Sequence, residues 1–239
     1  MCIRDSTTLI ISDLHLTYVE EDKIDFFANF CKKYASKADQ LFILGDLFNT
    51  WIGDDVSLIS YKAIIEILKD LTKTTKVFVM AGNRDFLLSK QFELESGCEI
   101  INVPFVLEHN SKKFLLIHGD SLCTDDVSYQ KLKKVLRNPI TQFIFLKLSK
   151  NLRLKLTGQL RKKSIEAQSY KSAEIMDENQ SATDKLMSEY PDFDLIHGHT
   201  HRQKTHKQES YTRHVLGDWS NSIGNALKLS DKLEWLEIN

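Results

Sequence analysis

The 239-residue chain reads as an α/β protein, and three observations carry that reading. Five short apolar runs each deliver Asp, Asn or His at one end. The first three of them alternate with stretches of helical periodicity, a βαβαβ order that implies a parallel sheet. A middle stretch of about seventy residues then shows helical spacing and no strand signal. The domain expected is a single one over residues 7–239, with a helical insertion over 124–190 acting as a lid.

Strand one runs from about Thr8 to Ser12, followed by a helix over Lys23 to Tyr34 in which Ile24, Phe27, Phe30 and Cys31 share a face. Leu41 to Leu44 is an apolar run bounded by polar residues, a buried strand that stops on Gly45-Asp46. A loop rich in Asp and aromatic residues (Phe48, Trp51, Asp54, Asp55) leads into a helix over Val56 to Lys73. Its expected buried face is Ile59, Ala63, Ile64, Ile67, Leu68 and Leu71, and Val77 to Met80 is the next strand. Val103 to Leu107 and Lys113 to Ile117, joined through His109-Asn110-Ser111, read as an antiparallel hairpin. After the insertion Asp194 to Ile196 resumes the sheet. Arg213 to Leu216, Asn225 to Leu229 and Lys232 to Ile238 finish it as a meander.

Composition sets the class. Hydrophobic content of 42% with 27% charged residues is ordinary for a globular protein, and the net charge of -1 is small. Cys2, Cys31, Cys98 and Cys123 lack Cys-x-x-Cys spacing and read as reduced cytosolic thiols. No apolar run reaches the ~18–20 residues of a spanning helix, and no basic segment precedes an apolar one at the start, so secretion is not indicated. Met1 to Ser6 matches nothing around it and reads as a start-site extension ahead of the first strand.

The strand ends carry the chemistry. In chain order they are Asp13-Leu14-His15, Gly45-Asp46, Gly82-Asn83-Arg84-Asp85, His118-Gly119-Asp120 and His197-Gly198-His199-Thr200-His201. An isolated Asp-x-His or Gly-Asp is usually a turn; five in order, each closing an apolar strand, make a metal site. Two divalent ions about 3.5–4 Å apart need a bridging carboxylate and several further ligands. Asp46 on the central strand suits the bridge, Asp13 and His15 serve one ion, Asn83 and His118 the other, and His199 and His201 divide between them. His197 reads as a core or supporting histidine. Mixed oxygen and nitrogen donors without thiolate suit Mn²⁺, Mg²⁺ or Fe.

This motif set resembles that of the calcineurin-like metallophosphoesterases. The resemblance implies a β-sandwich flanked by helices, a dinuclear centre and hydrolysis of a phosphate ester or anhydride. Many members of that family carry Gly-Asn-His where this chain has Gly82-Asn83-Arg84. An arginine stays protonated and cannot act as a general acid, but it grips phosphate bidentately. A phosphate leaving group, with a pKa near ~6, departs unprotonated, so the Arg favours a pyrophosphate substrate.

The insertion narrows the class further. Between Val127 and Lys163 there are eleven Lys or Arg and no Asp or Glu, interleaved with Ile140, Phe143, Ile144, Phe145, Leu146 and other aliphatics. Apolar residues with a basic fringe read as a segment that meets anionic lipid or encloses an acyl chain. An ordinary hairpin packed on the core is the alternative, and a nucleic-acid surface would be less aliphatic.

His118 to Asp126 followed by Tyr129-Gln130, Gly82 to Phe86, the Arg161…Ser164…Lys171 spacing and Ile196 to Arg202 resemble the UDP-2,3-diacylglucosamine pyrophosphatases of lipid A synthesis. That resemblance covers the chain from about Thr7 onward. It implies release of UMP and 2,3-diacylglucosamine 1-phosphate by water attack at the α-phosphorus, with two Mn²⁺ ions, or Mg²⁺ or another divalent ion in their place. Metal ligands would fall on Asp13, His15, Asp46, Asn83, His118, His199 and His201. Asn83, Arg84 and His199 would be catalytic. Substrate contacts would fall on Asn83, Arg84, Asp126, Ser164, Lys171 and His199, with Tyr129 and Arg161 added and Gln168 standing where the family often has Asn. Ser164, Gln168 and Lys171 also recur at helical spacing, and a merely solvated face is their other reading.

The expected partners are a lipid-linked nucleotide sugar and an anionic membrane surface, with no nucleic acid and no obligate protein partner. The expected location is the cytoplasmic face of the inner membrane, peripherally bound. Two rivals stand beside this reading: a phosphodiesterase acting on another nucleotide anhydride or a cyclic nucleotide, and a non-catalytic scaffold. The complete ligand set argues against the scaffold.

Overall fold

A computed structural model describes residues 6–169 and 177–239, leaving aside the side chains of 167–169. The strands read from the sequence as near-continuous apolar runs are buried on both faces, as parallel sheets require. β1 (Thr8–Ile11), β2 (Gln40–Leu44) and β3 (Lys76–Met80) pair in parallel, and β4 (Glu99–Ile101) extends them. Helices α1 (Glu21–Lys33), α2 (Asp54–Ser60), α3 (Lys62–Leu71) and α4 (Lys90–Ser96) fill the connections. Alternate residues on each strand serve different cores. Leu9, Ile11, Leu41, Ile43, Val77 and Val79 pack with the helices. Ile10, Phe42, Leu44 and Met80 face a second sheet.

That second sheet holds β5 (Phe105–His109), β6 (Lys112–Leu116), β7 (Phe193–His197), β8 (Lys204–Lys207) and β9 (Thr212–Val215), in the order β5-β6-β7-β9-β8. β10 (Gly224–Leu229) and β11 (Leu233–Ile238) return to the first, whose order is β11-β10-β1-β2-β3-β4. The expected C-terminal meander is therefore split: β9 lies parallel to β7 in one sheet, whereas β10 pairs antiparallel to β1 in the other. The physical reason lies in the inward residues, since Leu216 and Leu227 meet in the core between the sheets rather than along one of them.

The helix expected over Val56 to Lys73 is two helices that break at Tyr61. The break shifts the phase, leaving Ile59 and Ala63 exposed and turning Ile65 inward. Tyr61 itself is buried against Phe48 and Trp51, with ring centroids 4.8 and 5.8 Å away, so tertiary packing of an aromatic cluster overrides local helix continuity. The acidic loop ahead of it is largely structural. Asp54 accepts from Trp51 Nε1 at 2.8 Å and from the Phe92 amide at the start of α4 at 2.9 Å.

Among the described residues, four helices stand between β6 and β7: α5 (Val127–Leu136), α6 (Pro139–Lys147), α7 (Lys150–Ser169) and α8 (Gln180–Ser188). α8 packs on the second sheet through Met187. α7 is tied to the first layer by the nearly buried Arg153, which donates to the Ile52 carbonyl at 2.8 Å and pairs with Asp55. Cys31, Cys98 and Cys123 are buried thiols. Among the described residues no helix is long and apolar enough to cross a membrane.

The stacked pair Phe42 and Phe78, with centroids 4.7 Å apart, and Phe105 at 5.6 Å from Phe42 join the two sheets. Phe42→Ala is expected to cost about 3–5 kcal/mol, read as a lower urea midpoint with the slope unchanged. A change under about 1 kcal/mol would mean the sheets are not locked at this point.

Candidate metal centre

All five strand ends open at one edge of the two sheets, where open α/β sheets bind ligands. Asp13, His15, Asp46, His199 and His201 have φ between 49° and 70°. This left-handed backbone costs roughly 1–3 kcal/mol at a non-glycine residue and recurs at functional sites, where surrounding structure holds it. Here it turns the side chain back over the end of the strand. Two glycines make the necessary space. A Cβ on Gly82 would lie 2.1 Å from Asp46 Oδ1, and one on Gly198 would lie 2.2 Å from Asp13 Oδ2.

The side chains form two groups. Asp13, His15 and His201 make the first: His201 Nε2 is 3.3 Å from Asp13 Oδ1 and 3.3 Å from His15 Nε2. Asp13, Asp46 and His118 make the second, and there His118 Nε2 is 3.8 Å from Asp46 Oδ1 and 2.9 Å from Asn83 Oδ1. The His199 ring meets that of His118 edge-on at 5.0 Å. Asp13 is common to both groups, and Asp46, a member of the second, also reaches toward the first, with Oδ2 at 3.7 Å from His15 Nδ1 and Oδ1 toward His118. Asp13 has Oδ2 occupied by Ser12 Oγ at 2.7 Å and the His199 amide at 2.8 Å, so one oxygen remains for the cluster.

Several features fit this donor set to cations. Asp13 Oδ1 and His15 Nδ1 are buried without a hydrogen-bond partner. His118 Nδ1 lies 2.8 Å from the Leu44 carbonyl, which can only accept, so Nδ1 carries the proton. Burial would lower His118, but the carboxylates of Asp46, Asp13 and Asp120 hold it above its ordinary value, a negative field that a metal ion at Nε2 would meet in place of a proton. Burial holds His15 down to about 2 and His199 down to about 3, keeping both as neutral donors. Burial, together with Asp85 and Asp13, pushes Asp46 up to about 7 against the attraction of His118 and Arg84. A buried anion so placed gains by meeting a positive ion.

The remaining expected residues are distributed unevenly. Arg84 lies beside Asp46, its amide 2.9 Å from Oδ1 and its Nε 3.4 Å from Oδ2. Tyr129 Oη donates to Asp120 Oδ2 at 2.9 Å, and its ring stacks on His199 at 6.0 Å. Asp126 caps α5 by accepting from the Tyr129 amide at 3.0 Å. Arg161 reaches the loop after β2 and donates to Asn49 Oδ1 at 2.7 Å. Ser164 is exposed on α7, the side chain of Gln168 is not described, and Lys171 lies outside the described residues. His197 is fully buried, with Nδ1 2.9 Å from the Gly198 carbonyl.

Three supporting residues have no role in the sequence reading. Asp85 accepts from the amides of Gly82 at 2.7 Å and Phe48 at 3.2 Å, fixing both ligand loops. Asp120 takes Lys133 at 2.9 Å and Arg137 at 3.6 Å. Burial would raise it, but His118, Lys133 and Arg137 hold it below the usual carboxylate range. Asn49 receives both Arg84 and Arg161. Asp85 and Asp120 sit within the strand-end motifs, so proximity to the ligands is their only signal, whereas Asn49 has none.

A clustered set of buried Asp and His at paired strand ends is the arrangement of a metallophosphoesterase, and residues 6–203 match the family model described as calcineurin-like phosphoesterase. The chain belongs to that family. Among its curated relatives, a UDP-2,3-diacylglucosamine hydrolase of Haemophilus influenzae is 40% identical over 230 residues, covering 94% of this chain and 95% of the relative. Another so named, from Pseudomonas fluorescens, is 40% identical and covers 93% and 92%. A third, from Ectopseudomonas mendocina, is 42% identical and covers 88% and 89%.

Two expectations follow from this phosphoesterase site. Gly82→Ala forces Asp46 aside and should weaken divalent-metal binding by about tenfold or more, read as metal content after gel filtration. Wild-type metal content in that variant would remove Asp46 from the ligand set. Since Asp46 is pushed up to about 7, metal uptake displaces its proton. Below that pH, affinity should fall by up to about tenfold per unit, measurable by calorimetry in buffers of different ionisation enthalpy.

Proposed function

We propose that the protein hydrolyses the pyrophosphate bond of UDP-2,3-diacylglucosamine, giving UMP and 2,3-diacylglucosamine 1-phosphate in lipid A biosynthesis. The observation that carries this reading is Arg84 beside Asp46, a fixed cation where an alkoxide leaving group would need a proton donor. Relatives along nearly the whole chain named for the same substrate support it and disfavour a soluble or cyclic nucleotide.

Asp46 would bridge two ions, with Asp13, His15 and His201 on one and Asn83, His118 and His199 on the other. The ions, Mn²⁺ in our reading with Mg²⁺ or another divalent ion as the alternative, would supply an activated water and neutralise charge on the phosphoryl oxygens. The protein's own part is positioning. The Arg84 backbone amide and its guanidinium both engage Asp46, so the side chain is oriented before substrate arrives. A guanidinium offers charge and a planar fork of donors, so it stabilises the departing phosphate without giving up a proton. Together with Asn83 and His199 it forms the catalytic group, while Asp126, Tyr129, Arg161, Ser164, Gln168 and Lys171 bind substrate.

The insertion over 124–190 acts as the lid. In support, Arg137 Nη2 donates to the Gly82 carbonyl at 2.8 Å and Arg161 reaches Asn49, so helices of the insertion touch two ligand loops. Ile140, Phe143 and Ile144 are 69%, 63% and 57% exposed. Apolar side chains of that size open to solvent on a segment fringed by Lys and Arg suit acyl chains and an anionic membrane surface. The protein would work in the cytoplasm, held peripherally on the inner membrane.

Purified protein supplied with Mn²⁺ should release UMP from UDP-2,3-diacylglucosamine in detergent, and chelation should abolish the release. Cleavage of a soluble diester without UMP would retain the metal centre and discard the lipid substrate. Arg84→Ala should lower kcat/KM by about a hundredfold or more with metal content unchanged. Metal loss in that variant would make Arg84 structural.

A further inference from the structure

The loop after β2 holds a side chain that neither the ligand cluster nor the apolar core employs. Asn49 Oδ1 accepts from Arg84 Nη1 at 2.8 Å and from Arg161 Nη2 at 2.7 Å. Arg161 Nη1 donates in addition to the Asn49 carbonyl at 3.1 Å and to Thr50 Oγ1 at 3.2 Å. One amide oxygen thus gathers two guanidinium groups, the first from the core and the second from α7 of the insertion. The loop is itself fixed, since the Asn49 amide donates to the Leu16 carbonyl at 2.9 Å and the Trp51 amide to the Arg84 carbonyl at 3.0 Å.

The charge balance at this point is unusual. Arg84 has Asp46 nearby, but that carboxylate belongs to the ligand cluster. Among the described residues, no carboxylate lies within ion-pair distance of Arg161. Burial and the charge of Arg84 together pull Arg161 below its ordinary value, the sign of two cations held close against their repulsion. Asparagine matters here because it supplies the acceptor without the negative charge. An aspartate would hold the same two groups and cancel part of the field they project.

We infer that Asn49 is a positioning residue that holds Arg84 and Arg161 as a paired guanidinium clamp for a phosphate group and, being neutral, leaves both charges available to it. The inference rests on the reading of Arg84 as the residue that grips phosphate. It gives the insertion a part in phosphate recognition through the contact of Arg161 with Asn49, made before substrate enters.

The test compares Asn49→Asp, Asn49→Ala, Arg161→Ala and the Asn49→Ala/Arg161→Ala pair in metal-loaded protein. Inorganic phosphate is the probe, its Kd measured by calorimetry, and steady-state constants are taken on UDP-2,3-diacylglucosamine. Asn49→Asp should raise the phosphate Kd and the KM by about tenfold, with kcat within about threefold and metal content unchanged. A purely structural Asn49 would be satisfied by the isosteric Asp, so wild-type constants in that variant overturn the proposal. Asn49→Ala should raise the phosphate Kd as well, and should reduce the further cost of Arg161→Ala to under about threefold. An undiminished cost of Arg161→Ala in that background also overturns it, and this arm decides the matter if the Asp variant fails to fold. Should the wild type release no UMP, the function proposed above fails, whereas the phosphate Kd series still judges the clamp.

Discussion

Two carboxylates buried side by side, Asp13 and Asp46, are the constraint on which the rest of the structure depends. Ionised groups out of water are costly unless hydrogen-bonded and met by opposite charge. The protein answers with donors fixed in advance: Ser12 and the His199 amide for Asp13, the Arg84 amide and guanidinium for Asp46. What these donors leave over is an Asp13 oxygen that faces His201 Nε2 at 3.3 Å, beside the imidazoles of His15 and His199 that burial keeps neutral, and a divalent cation would complete the set. The left-handed turns at five candidate ligands and the close approach of Gly82 and Gly198 are local costs of that arrangement, met by the two large apolar cores behind it.

The labour is divided between two parts of the chain. The paired sheets carry the candidate ligands at their strand ends. The insertion carries positive charge and exposed apolar surface, and it meets the sheets through Arg137 on Gly82, Arg153 beside Ile52 and Arg161 on Asn49. All three are arginines that donate to backbone or amide oxygens. A guanidinium suits this work because its planar fork satisfies several acceptors at once without losing its charge. Cations so placed serve both docking and the field at the site.

Much of the fold was legible because its signals are local. β1, β2, β3, β6 and β7 are short apolar runs closed by a polar residue, and each ligand follows its strand by a residue or a few. The long helix read over 56–73 was wrong at Tyr61, where an aromatic cluster broke a periodicity that looked continuous. The C-terminal strands were found one by one, yet their assignment to one meander failed, and β4 and β8 were missed as short and weakly apolar segments. Strand pairing and side-chain packing decided these outcomes, over a long separation where β10 meets β1 and over a short one where β8 pairs with β9.

The sequence by itself determined which donor types stand at which strand ends, and that the centre is built from oxygen and nitrogen without thiolate. Periodicity and apolar runs are properties of neighbouring residues, so they survive without a partner. Only the tertiary structure decided that Asp46 lies between His15 and His118, that His201 sides with the first and His199 with the second, and that β10 rejoins β1. It also brought Asn49, Arg84 and Arg161 onto one oxygen across 112 residues of chain. Such meetings come from strand pairing and helix docking over long separations, and no local pattern encodes them.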